Sequence, residues 1–201
     1  MEDDVIKGYA DDASALIPRY EAVLPAALFA HVIHLFPVGS HKIVDIGAGT
    51  GRAAAWFAAR GGKVLAVEPV AAFREAGETL HRSPRIEWLD DTLPTLAKTL
   101  VQGEQFDLVL MSAVWHHLTS DERQQAMPAL WALTAQRGHL VISVRQGAGA
   151  ASRPCYDAPP DELVDLATTN GFRLVFRQGA DSIQAGNKRA GITWTWLVFA
   201  K

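Results

Sequence analysis

Two adjacent histidines, His116 and His117, stand just beyond the apolar run from Phe106 to Val114. Imidazole has an ordinary pKa of about 6.5, which suits it to take or give a proton near neutral pH. Adjacent side chains diverge in direction, so one of the two is expected to face a pocket. His117 is preferred to His116 because it is further from the strand that precedes them. Several carboxylates also close apolar runs: Asp45 in Val44-Asp45-Ile46, Glu68 at the end of Lys63 to Glu68, and Asp90-Asp91 after Arg85 to Leu89. A carboxylate only accepts hydrogen bonds, and the two oxygens of Glu68 can take a bidentate pair from the vicinal hydroxyls of a ribose.

Between Asp45 and Glu68 lies the loop Gly47-Ala48-Gly49-Thr50-Gly51-Arg52. Glycine at alternate positions permits positive φ and lets a ligand approach the main chain, while the helix that follows offers free N–H groups. Two nucleoside ligands use such loops, dinucleotides and S-adenosylmethionine. A dinucleotide fingerprint reads G-x-G-x-x-G, and Arg52 occupies the position of its third glycine.

The G-x-G-x-G loop with Asp45 two residues before it resembles the first motif of the class I S-adenosylmethionine-dependent methyltransferases. Phe106 to Leu118 resembles the fourth motif of the same family, and together with Glu68 and Asp90-Asp91 the resemblance spans roughly residues 40 to 145 in four ordered places. It implies cofactor contacts from Asp45, Gly47, Ala48, Gly49, Gly51, Glu68, Pro69, Met111 and Ser112. It also implies that Asp90, or else Asp91, receives the exocyclic amine of adenine, with the other capping the next helix. The His116-His117-Leu118 triplet and Trp115 then meet the acceptor.

These residues need a scaffold. Strands expected at about 42–46, 63–68, 85–89, 106–111 and 138–145 alternate with helical patterns, which implies right-handed crossovers and a parallel sheet covered on both faces. Phe172 to Arg177 and Ile192 to Phe199 read as two further strands paired as an antiparallel hairpin. The fold expected is therefore α/β, a doubly wound, mostly parallel seven-stranded sheet of the Rossmann-like methyltransferase type. Trp194, Trp196 and Val198 share one face of the last strand, the tryptophans being read as packing against a helix. Thr119 to Glu122 offers a capping box, and Pro128 is expected to kink or end the helix it opens.

Residues 1–41 form an expected helical cap on a 42–201 core, the whole being one domain. Pro18 and Pro25 interrupt its apolar stripe. Tyr9 and Tyr20 are candidate lid residues, equally readable as core aromatics. The loop Gln146 to Pro160, rich in small residues, should border the acceptor pocket, with Arg153 and Tyr156 as acceptor contacts. His31 and His34 lie three apart, but no third and fourth ligand is in view, so no metal is assigned.

Composition narrows the rest. At 201 residues, 49% apolar and 20% charged, the chain is ordinary for a globular protein. The acidic start Met1-Glu2-Asp3-Asp4 is unlike a signal peptide and no apolar stretch approaches a membrane span, so a soluble, cytoplasmic protein is expected, a monomer or homodimer with no membrane partner. The single Cys155 excludes an internal disulfide and argues against structural zinc. A net charge of −3 argues against a nucleic-acid partner. Methyl transfer to a small-molecule acceptor is the leading reading. An NAD(P)-dependent oxidoreductase and a non-catalytic S-adenosylmethionine-binding subunit are the alternatives.

Overall fold

The computed structural model describes residues 3–201. Met1 and Glu2, half of the acidic start read above as unlike a signal peptide, lie outside the described residues. The strands are β1 (Lys42–Ile46), β2 (Lys63–Val67), β3 (Ile86–Leu89), β4 (Phe106–Ser112), β5 (Thr134–Gln146), β6 (Arg173–Asp181) and β7 (Thr193–Ala200). They form one sheet in the order β3-β2-β1-β4-β5-β7-β6. The first five are parallel, and β7 runs antiparallel to both β5 and β6. The order reverses between β1 and β4, which opens a crevice at the carboxyl ends of these strands, where open α/β sheets hold their ligands.

Near-continuous apolar runs make the strands because both faces of the sheet are buried. Alternate residues supply opposite cores. Val44, Ile46, Val109, Met111, Leu140, Ile142, Leu197 and Phe199 face one side, and Ile43, Leu108, Leu110, Val141, Trp196 and Val198 the other. The helices α4 (Arg52–Ala58), α5 (Ala71–Leu80), α6 (Ala97–Val101), α7 (Ser120–Leu133) and α8 (Pro160–Thr169) follow successive strands. Among the described residues no helix is long and apolar enough to cross a membrane.

The cap consists of α1 (Asp3–Asp11), α2 (Ala13–Glu21) and the short α3 (Pro25–Leu28). Ala13 and Leu16 of α2 bury against Val70 and Phe73 at the start of α5, with Ile6, Tyr9, Ile17 and Tyr20 packed around them. Pro25 starts α3 at its first turn, as expected, but Pro18 lies inside α2 without breaking it. Pro128 likewise sits inside an unbroken α7, which opens on the expected Thr119–Glu122 capping box. Both prolines are exposed, as are Ser14 and Gln124 four residues before them, so the carbonyls that lose a helical partner lie on the solvent side of their helices, where water can donate to them instead.

The hairpin also differs in detail. β6 continues to Asp181, four residues beyond the apolar signal, because β7 offers it a ladder as far as Thr193. A short helix, α9 (Ala185–Arg189), fills the connection.

The Trp88 indole fixes the packing of α4 and α5 onto the sheet. A Cβ on Gly51 would meet this ring at 2.5 Å, and one on Gly77, inside α5, would meet it at 2.3 Å and the Thr50 carbonyl oxygen at 2.7 Å. With overlaps this close, Gly77→Ala should cost toward the upper end of the ~1–3 kcal/mol typical of overpacking, which after the ~1 kcal/mol that alanine gains in a helix leaves a net loss of about 1–2 kcal/mol. Chemical denaturation checks this, and a variant as stable as the parent would show that the indole can move aside.

Candidate active site

A cavity of about 450 Å³ opens at the carboxyl ends of β1, β2, β4 and β5, roofed by α1, α2 and the loop after β5. At one end stands the glycine loop. The Val67 carbonyl accepts from the Gly47 and Ala48 amides at 2.8 and 3.1 Å, and the Glu68 carboxylate accepts from Gly49 at 2.8 Å and from Val70 at 2.8 Å. Gly47 has φ of 73°, and a Cβ there would meet Val114 at 2.5 Å, so no other residue fits.

Asp45 and Glu68 are 2% and 5% exposed, and both line the cavity. Burial pushes each carboxyl up to about 7. Arg52 counters the rise for Asp45, and the two backbone N–H bonds counter it for Glu68. Asp45 Oδ2 is buried with no hydrogen-bond partner.

Gly47, Ala48, Gly49, Pro69 and Ser112 also line the cavity, whereas Gly51, Asp90, Asp91 and Met111 do not. Gly51 is taken up by Trp88, and Met111 is fully buried in the core. Asp90 points outward to Arg74 at 3.3 Å and Lys98 at 3.6 Å. Asp91 holds the start of α6, accepting from the Thr99 amide at 2.8 Å and hydroxyl at 2.7 Å. Leu96, not either aspartate, holds the N-cap position of α6, so Asp91 secures the helix from outside that position through Thr99, and neither aspartate borders the cavity.

Tyr20 lies against Gly49 as part of the roof. Arg52 donates to the Tyr20 carbonyl, and Thr50 to Glu21, tying the end of α2 down over the glycine loop. Arg52 thus does structural work at the position that separates this loop from a dinucleotide fingerprint.

At the opposite end, the 3₁₀ turn Trp115–His117 brings both histidines to the cavity wall, their ring centroids 4.3 Å apart. The expectation that only one would face the pocket is corrected: the cavity wraps around the turn, so residues pointing in different directions both border it. Trp115, in contrast, is 1% exposed and belongs to the core, and Tyr156 is absent from the lining, its amide donating to the His116 carbonyl at 2.8 Å.

His117 Nδ1 is 2.7 Å from the Pro154 carbonyl oxygen, and Nε2 is 2.8 Å from the Tyr9 hydroxyl. A carbonyl can only accept, so Nδ1 carries the hydrogen and Nε2 presents its lone pair to the Tyr9 O–H. Burial lowers the pKa of His117 and takes that of His116 well below 6.5, while it raises Tyr9 well above its usual value. Both imidazoles are neutral at pH 7. Arg153 pairs with Asp12 of the roof and lies 5.2 Å from the Tyr9 ring.

Sequence reasoning missed Arg145, Cys155, Ser182, Asn187, Trp194 and Trp196 as lining residues. A signal existed for some of them. In an antiparallel last strand the first residues return to the catalytic edge, so Trp194 lands opposite Arg145 at the end of β5. Trp196 does pack as expected, edge-on to Phe29 at 5.8 Å. His31 also reaches the cavity, while His34 packs against Phe176 at 5.5 Å. Among the described residues, one atom each of His116, His117 and Cys155 lie within 4.8 Å of one another, a grouping the single cysteine did not suggest. Both nitrogens of His117 are already engaged, which leaves this group short of a ligand set.

A model of the methyltransferase domain matches residues 43–138, from β1 through the glycine loop and the histidine turn to β5. This part of the chain is similar to a methyltransferase domain, and two curated relatives share the likeness over part of their length. An uncharacterized methyltransferase of Oceanobacillus iheyensis is 27% identical over 137 residues, 67% of this chain and 57% of that protein. Another, from Alkaliphilus oremlandii, is 30% identical over 102 residues, 50% and 44% of the two chains. The chain spans about half the length of the curated relatives it matches.

Two solved structures have the same fold. The 1,6-didemethyltoxoflavin-N1-methyltransferase of Burkholderia thailandensis has a TM-score of 0.74 at 21% identity, covering 98% of this chain and 87% of that one. A TehB-like methyltransferase of Corynebacterium glutamicum has 0.67 at 19%, covering 96% and 98%.

The cavity suits the methyltransferase cofactor. Its sulfonium and α-ammonium are cations, and the acidic end of the cavity offers two carboxylates, one with a buried, unpartnered oxygen.

Keeping these acids dry has a cost. With folded pKa values raised above the unfolded ones, their contribution favours the fold below about pH 4 and is lost as pH rises to about 7. At pH 8 Asp45→Asn should therefore raise the melting temperature of the ligand-free protein by about 2–4 °C per kcal/mol relieved. It should also weaken S-adenosylhomocysteine binding. Thermal denaturation at pH 5 and pH 8 checks the sign, and a variant less stable than the parent at pH 8 would refute the account.

Proposed function

We propose that the protein transfers a methyl group from S-adenosylmethionine to a small-molecule acceptor. The observation that carries this reading is the single cavity with Asp45 and Glu68 beside a glycine loop at one end and the Tyr9–His117 pair at the other. In this reading Glu68 receives the ribose hydroxyls through the lone pairs left by Gly49 and Val70. Asp45 receives a cationic group, and Ala48, Pro69 and Ser112 form the walls. Residues 1–41 act as a cap on the 42–201 core within one domain.

When bound, the cofactor supplies an electrophilic methyl carbon and its own leaving group. The protein then has to orient the acceptor and manage its proton. Holding the reacting atoms in line can supply several kcal/mol of the barrier, ~7 or more in well-oriented cases. The proton is assigned to the Tyr9–His117 pair: an acceptor N–H or O–H gives its proton to the Tyr9 oxygen as the Tyr9 proton moves to His117 Nε2. Pro154 holds Nδ1–H and keeps Nε2 the basic atom. A neutral His117 is ready for this role at pH 7, since burial keeps its pKa low.

S-adenosylhomocysteine should raise the melting temperature and NAD should not, a ligand at 100 times its dissociation constant adding about 2.7 kcal/mol. Glu68→Ala should weaken the binding by about 1.5–3 kcal/mol, or roughly 10- to 150-fold. Calorimetry measures this, and stabilisation by NAD alone would remove the methyltransferase reading.

Chemistry separates from binding at the other end. His117→Ala and Tyr9→Phe should each cut single-turnover transfer by ~10²-fold or more, with S-adenosylhomocysteine affinity changed only a few-fold. If both variants keep rates within a few-fold of the parent, catalysis rests on positioning alone.

A further inference from the structure

We propose that the end of the cavity opposite the glycine loop is a site for a negative charge on the acceptor. The acceptor class assigned is a small planar molecule bearing a carboxylate or an ionised ring oxygen, paired with Arg145 and laid beside Trp194. This deepens the methyl-transfer reading and rests on it.

Arg145 closes β5 in register with Trp194, its guanidinium carbon 5.9 Å from the indole centroid. One terminal nitrogen, Nη2, donates to the Ala148 carbonyl at 2.6 Å. Nε is buried with no partner, and among the described residues no carboxylate pairs with this guanidinium. Of the other cations near the cavity, Arg153 is matched by Asp12, Arg74 by Asp90, and Arg52 by the Tyr20 carbonyl with Asp45 nearby, while Arg19 is exposed to solvent. A partly buried guanidinium is costly to leave without a counter-charge, and its planar fork suits a carboxylate.

The neighbouring groups support an anion rather than a second cation. His116, 3% exposed, lines the same wall with Nδ1 buried and unpartnered, its ring 5.7 Å from Trp194. Ser182, Gln184 and Asn187 add neutral polar groups, and Asp181, exposed, is the acid on this side. The two buried carboxylates, Asp45 and Glu68, lie beside the glycine loop instead. The cavity is thus polarised, with acids where a cationic methyl donor belongs and a spare guanidinium where the acceptor belongs. Trp194, His116 and the guanidinium are flat groups, and about 450 Å³ for both ligands limits the acceptor to a small one.

The test uses the full chain saturated with S-adenosylhomocysteine, whose binding is measured first. Matched pairs of one-ring acids and amides are then titrated by calorimetry: benzoate and benzamide, salicylate and salicylamide, nicotinate and nicotinamide, 4-hydroxybenzoate and 4-hydroxybenzamide. At least one acid should bind about tenfold or more tightly than its amide. Arg145→Gln should abolish that preference and Arg145→Lys should keep most of it, with S-adenosylhomocysteine affinity within about twofold in both. Amides binding as well as acids, no acid binding below about 10 mM, or a preference that survives Arg145→Gln would each overturn the proposal. Failure of S-adenosylhomocysteine to bind the parent would remove the methyl-transfer reading, and this site with it. Its binding without an acid preference would remove this site alone.

Discussion

The glycine loop hangs from the end of β2. The Val67 carbonyl holds two of its amides and the Glu68 carboxylate a third, so the loop's shape depends on where β2 stops. That point is set in turn by the β1–β2 pairing, Ile46 against Val67, and by the reversal of strand order on the other side of β1. From this anchorage follow the direction of α4, the placing of Asp45 in the cavity, and the seat that the end of α2 finds on Thr50 and Arg52. Glu68 is therefore both scaffold and cavity wall, and its buried carboxylate fixes the main chain of the loop.

The same arrangement keeps two carboxylates dry and close enough to repel. Hydrogen bonds from backbone amides offset part of the burial cost at Glu68, while Asp45 Oδ2 has no such relief. Uncompensated buried charge destabilises a fold, and it persists where a ligand supplies the missing partner. The ligand-free protein carries strain that a cationic ligand can relieve.

Much of this was legible in the sequence. The five parallel strands and the antiparallel ending followed from apolar runs broken by glycine, and Asp45, Glu68 and the glycine loop from their spacing. Where residues lie away from the cavity, the reasons are physical. Gly51 and Met111 have the right positions in the chain, but packing against Trp88 and burial in the core claim them. Asp90 and Asp91 looked equivalent, and only three-dimensional neighbours separate an outward ion pair from a carboxylate that secures α6 through Thr99. Pro18 and Pro128 do not break their helices because exposure, which periodicity cannot report for one residue, lets water take the freed carbonyls. Arg145 and Trp194 were missed because their meeting depends on the register of two strands nearly fifty residues apart.

The parts of the roof are fastened at neighbouring points around the end of α1. Asp12 grips Arg153, and one turn earlier Tyr9 reaches His117; just before them Gly8 lies so close to the Ser152 carbonyl that a Cβ would overlap it. A motion that lifts α1 parts the phenol from the imidazole as it admits solvent. Release of α1 and separation of the Tyr9–His117 pair are thus a single event, so the fastening of the roof and the hydrogen bond across it come apart together.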